Sequence, residues 1–125
     1  MTGAARLFFT LAIIYALIGM LLGLSMAISN DHTQHVTHAH IMLAGFVVTS
    51  IFAVFYHLFP ALNASKIANV HFWLQTVSVI VMTGSLLLLY GGNPAIEPGA
   101  AIGSIGYILG VALFAYIALP AIWKA

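Results

Sequence analysis

The sequence contains no cysteine, which excludes disulfides, thiolate metal sites and iron–sulfur clusters. Charge is nearly missing too. Three Lys/Arg and two Asp/Glu leave charged residues at 4% of the chain, against about 25% in an ordinary soluble domain. A net charge of +1 is too small to draw nucleic acid or an acidic partner to the surface.

What is present is apolar. Hydrophobic residues make up 63% of the chain, and the mean hydropathy is +1.14, a composition suited to a lipid bilayer. A span needs about 20 apolar residues, so four spans fill most of the 125 residues. The pattern predicts an all-α fold, an integral membrane four-helix bundle in one domain. Its spans fall at about residues 7–28, 37–58, 67–90 and 100–123. The first run follows Arg6 and ends near Ser25-Met26-Ala27, the outline of a secretory signal. It exceeds the apolar stretch of ~7–15 residues in such signals and is read as a span.

The few charges orient the bundle. With four spans, Arg6, Lys66 and Lys124 share one side, while Asp31 and Glu97 lie on the other. The positive-inside rule makes both termini cytoplasmic. Trp73 and Trp123 then fall near the inner interface, where belt residues belong. Small residues recur along two spans: Ala12, Ala16, Gly19 and Gly23 in the first, and Gly99, Gly103, Gly106 and Gly110 in the fourth. Each set makes a smooth stripe for close helix contact.

The chemistry lies in six histidines, because imidazole in or beside a span is costly and usually functional. His32, His35, His38 and His40 cluster at the outer start of the second span; His57 and His71 lie toward the inner face. His38 and His40, two residues apart, diverge by roughly 200° on a helix. They cannot both ligate one iron, but they suit two different haems, or one haem and one hydrogen-bonded position. The outer ends of the other spans offer Met, Ser, Thr and Tyr but no histidine. A bis-histidine haem there takes its second ligand from another copy of the chain, which implies an oligomer; otherwise the haem uses Met or leaves a position open. The bland alternative is interfacial histidines bonded to loop carbonyls.

Other arrangements are open at this level. His32, His35 and His38 share a face if the helix extends outward, and with His40 and Asp31 they suit copper or zinc. His57 and His71 flank a short turn at similar depth. They either pair, to bind a second haem or a quinone headgroup, or each serves its own helix end. The nearby Phe52, Phe55, Tyr56 and Phe59 read as core or lipid-facing.

The run His38-Ala39-His40-Ile41-Met42-Leu43-Ala44-Gly45-Phe46, continuing to Phe55-Tyr56-His57-Leu58-Phe59-Pro60, resembles haem-binding helices of the haem–copper oxidase subunit I superfamily, which includes nitric oxide reductases. His71-Phe72-Trp73-Leu74 is similar to the start of that family's next helix, and the resemblance covers roughly residues 36 to 85. The family builds twelve helices as three arcs of four, and one of its helices carries a His-x-His pair that ligates two haems. The resemblance implies that this chain is one arc and assembles as a homotrimer, with each haem between His38 of one chain and His40 of the next. The departures matter as well. There is no His-His pair, no outer histidine in the third span, no counterpart of the cross-linked tyrosine, and no acid or lysine inside a span to carry protons.

The expectation is a b-type cytochrome of a bacterial inner membrane, its histidine cluster on the periplasmic side. Haem b is held by His38 and His40 across the subunits of a homo-oligomer, trimer or dimer, for electron transfer rather than for complete oxidase or reductase chemistry. Two alternatives stand beside it: a copper- or zinc-handling membrane protein, and a non-catalytic accessory subunit of a larger respiratory complex.

Overall fold

The computed structural model describes residues 1–124. They fold almost wholly as helix, and four helices are long and apolar enough to cross a membrane. Helix α1 runs Gly3–Ser29 and closes on Asn30 in the left-handed conformation, φ 56°, a common helix stop. Helix α2 runs His35–Leu58, and its stretch Ile41–Val47 is wound as π-helix. Pro60 keeps the preceding Phe59 out of the helical region (φ −120°, ψ 77°) and starts a one-turn helix, Pro60–Asn63, as proline does at a first helical position. Ser65 caps helix α3, Lys66–Tyr90, its hydroxyl accepting from the Ala68 N–H at 3.3 Å. A turn at Gly91-Gly92 and a short 3₁₀ segment, Pro94–Ile96, lead into helix α4, Glu97–Lys124.

Neighbouring helices are antiparallel and pack mainly as two hairpins, α1 on α2 and α3 on α4; α3 also touches α1 and α2. Side chains lock both ends. At one end the Asn63 amide accepts from the Ala5 N–H (2.7 Å) and donates to the Thr2 carbonyl (2.8 Å). At the other, Gln34 donates to the Leu87 carbonyl (2.9 Å), and buried Thr37 donates to the Gln34 carbonyl oxygen (2.7 Å). The α1–α2 connector is thereby pinned to α3 just where the histidines begin.

The core is aromatic toward the Asn63 end. Phe8, Phe52, Tyr56 and Phe72 pack there, and Ala4, Ala5, Ala53 and Ala68 admit them by keeping their helices close. Outward-facing leucines, isoleucines and valines are exposed along all four helices, as lipid-facing positions are.

Candidate functional site

Helix α2 starts at His35, earlier than hydropathy alone places it, so His35, His38 and His40 are helical while His32 stays in the connector. The cause is local. Asn30 ends α1 in the left-handed region, and Asp31 accepts from the Thr33 N–H at 3.1 Å, which nucleates the turn. That bond holds the Asp31 carboxyl below its usual range.

His38 and His40 leave α2 in different directions. The His38 ring lies in the α1–α2 seam, over Gly23, where a Cβ would sit 2.8 Å from its Cε1. Its Nδ1 bonds the Gly19 carbonyl at 2.7 Å. His40 borders an open groove of about 310 Å³ lined by Ala39, Leu43, Ala44, Val48 and Tyr107 of α4. Its Nδ1 bonds the Val36 carbonyl at 2.8 Å. His35 does likewise with the His32 carbonyl, 2.9 Å.

A carbonyl can only accept, so in each of these histidines Nδ1 carries the proton and Nε2 the lone pair. No protein donor meets Nε2 of His38 or His40 among the described residues. Metal-ligating histidines usually take this form, one nitrogen donating to a carbonyl and the other free to ligate. Directly after His40 the helix widens into its π segment. Such π turns are often found at functional sites, and no residue from Ile41 to Val47 signals it in advance.

Within one chain the histidines do not converge. Among the described residues, no three His, Asp or Glu side chains form a group able to hold a metal ion. His32 and His35 are exposed, His38 turns to α1, and His40 turns to the groove beside α4.

His57 and His71 part company too. His57 is exposed and His71 is wholly buried, so they do not meet. Nor does His71 serve a helix end or the headgroup region. Phe8, Phe52 and Phe114 surround its ring at centroid distances of 5.1, 4.6 and 5.4 Å. Its Nδ1 is hydrogen-bonded to the Tyr56 hydroxyl at 2.9 Å, and its Nε2 has no partner. One turn on, Gln75 is 1% exposed, and both of its amide atoms lack partners. Sequence reasoning passed over Gln75. The signal was there, an amide mid-span at a four-residue step from a histidine.

No family model, no curated protein and no solved structure matches this chain.

Proposed function

We propose that the chain is a membrane b-type cytochrome in which His38 and His40 bind haem through Nε2, each haem ligated by two copies of the chain. The observation that carries this reading is the pinned Nδ1 of both residues, donated to Gly19 and Val36 carbonyls. It fixes the tautomer that leaves Nε2 as a ligand.

The groove beside His40, apolar but for its imidazole and the Tyr107 phenol, suits a largely apolar ring with one ligated centre. His38 and His40 diverge, so two axial histidines on one iron come from two chains, and a closed ring of copies satisfies every site. We favour a trimer. When bound, haem with two histidine ligands supplies one-electron redox chemistry rather than an open position for a substrate. The surrounding membrane is taken to be a bacterial inner membrane, with the histidine end outside, from the distribution of Arg6, Lys66 and Lys124 against Asp31 and Glu97.

The test is a visible spectrum of detergent-purified protein expressed with haem supplied, oxidised and then dithionite-reduced. Sharp reduced α and β bands are expected in the native chain and absent from both His38→Ala and His40→Ala. A colourless native protein, or bands that survive both substitutions, would overturn the reading.

A further inference from the structure

Helix α4 packs along α3, and its backbone scarcely approaches α2. Phe114 bridges the gap, its ring meeting those of Phe52 and Phe55 at centroid distances of 4.6 and 5.0 Å. Beyond this bridge, toward the Lys124 end, the chain itself keeps the two helices apart. Phe59 ends α2, and the one-turn helix Pro60–Asn63 leads away to α3. Asn63 ties that turn to the start of α1, through the Ala5 N–H and the Thr2 carbonyl.

What remains is a groove of about 480 Å³, with residues 58–62 on one wall and Ile117, Pro120, Ala121 and Lys124 on the other. A second groove of about 300 Å³ adjoins it and reaches Ile67 and Tyr116. The two lobes meet along Leu62, Ile117 and Pro120, which line both. Every lining side chain is apolar except the Tyr116 phenol and the Lys124 ammonium. Lys124 stands two turns of α4 beyond Ile117, about 10 Å along the axis.

The charge at this end has one sign. Arg6 and Lys66 lie there too, near the starts of α1 and α3. Both acidic side chains, Asp31 and Glu97, are at the opposite end. Glu97 is about 40 Å from Lys124 along the same helix. Tyr116 and Trp123 are 73% and 85% exposed beside the groove, as rings at the level of lipid headgroups are.

We propose that the groove binds one anionic phospholipid of the bilayer, its two acyl chains in the two lobes and its phosphate at the Lys124 ammonium. Elsewhere the exposed leucines, isoleucines and valines meet acyl chains of any lipid. Here a concave apolar surface ends in a single cation, and that cation selects the charge of the headgroup. Basic sites between helices at one membrane face take anionic headgroups in this way. A second copy inserted the same way up would bring only further cations to this end. The groove lies at the far end of the bundle from His38 and His40, and its occupant is independent of haem.

The full chain, purified in mild detergent, is titrated with palmitoyl-oleoyl phosphatidylglycerol or with phosphatidylcholine of the same acyl chains. Native mass spectrometry counts the lipid bound. One phosphatidylglycerol per chain is expected, held about fivefold more tightly than phosphatidylcholine, the worth of one basic residue against an anionic lipid. Lys124→Gln removes that preference. Lys66→Gln, on a cation that does not line the groove, keeps it. Ala121→Phe fills the groove and lowers occupancy by both lipids. Far-UV circular dichroism checks that its helical content is intact, and Lys124→Gln decides alone if it is not.

Equal binding of the two lipids by the native chain would overturn the proposal. So would a preference lost as fully in Lys66→Gln as in Lys124→Gln, because the whole end and not the groove would then select the lipid. A lipid-free oligomer that Ala121→Phe dissociates would overturn it as well, by showing that a second copy fills the groove.

Discussion

The two hairpins are closed by the same device and hold different things. On α1, Gly23 receives the His38 ring and Gly19 receives the Met42 thioether, while Gly45 of α2 takes the Tyr15 ring in return. On α4, Gly99, Gly103, Gly106 and Gly110 meet Ser85, Met82, Ser78 and Gln75 in turn, a ladder that descends one helix as it climbs the other. The α1–α2 notches admit the ends of long side chains. The α3–α4 notches admit small hydroxyls, an amide and, at Gly103, the backbone of α3 itself. A stripe of small residues tells where two helices approach. What enters the notch decides whether the stripe is only an interface or also the seat of a ligand.

The largest effect expected from this contrast is at Gly103. A Cβ there would lie 2.6 Å from the Met82 Cα and closer still to its amide nitrogen, and neither atom can swing aside. Gly103→Ala must force α3 and α4 apart, at the 1–3 kcal/mol typical of overpacking, about 2 kcal/mol. Gly84 on α3 has nothing within 4 Å of a Cβ. Gly84→Ala should therefore be neutral or stabilising by up to about 1 kcal/mol through helix propensity. Detergent unfolding followed by far-UV circular dichroism measures both. If the two variants unfold alike, the α3–α4 seam is not limited by backbone contact.

The sequence carried these seams unevenly. Hydropathy located the four helices, and the 3.6-residue period gave the divergence of His38 and His40, because both depend on local order alone. The π segment did not show. Ile41 to Val47 reads as ordinary helix, and Gly45, where the Tyr15 ring packs, draws its meaning from α1. The sequence places His71 five residues after Lys66, near a helix end, yet its cage comes from Phe8, Phe52 and Phe114 on three other helices. No residue near His71 in the chain reveals that burial. The α4 glycines were legible as a stripe, but their partners on α3, above all Gln75, become visible only once the register is known.

A smaller effect on stability, though a larger one on function, is expected at Gly23. A methyl there meets His38 Cε1 at 2.8 Å and Nδ1 at 3.2 Å, so the ring must tilt and strain its bond to the Gly19 carbonyl. A weakened hydrogen bond of this kind costs about 1 kcal/mol of stability. Loss of a bond that orients a metal ligand costs about tenfold or more in affinity. If the proposed haem ligation holds, Gly23→Ala keeps its helical content and loses most of its haem when haem is limiting, as measured by the haem-to-protein ratio after purification.

The smallest effect is expected at Gly19, and it tells which part of the α1–α2 seam holds His38. A Cβ at Gly19 overlaps the Met42 sulfur and comes within 3.0 Å of Ile41 Cγ2. The overlap is tighter than at Gly23, but it falls on the far end of a flexible thioether that repacks readily. The carbonyl that accepts from His38 belongs to the backbone and survives the substitution. Gly19→Ala should cost under about 1 kcal/mol and, on the same proposed haem ligation, leave the reduced α band unchanged in position and intensity. If it instead loses haem as Gly23→Ala does, Met42 cannot yield and the two helices have separated. The spacing of α1 and α2, rather than the bed under the imidazole, would then be what sets the ligand.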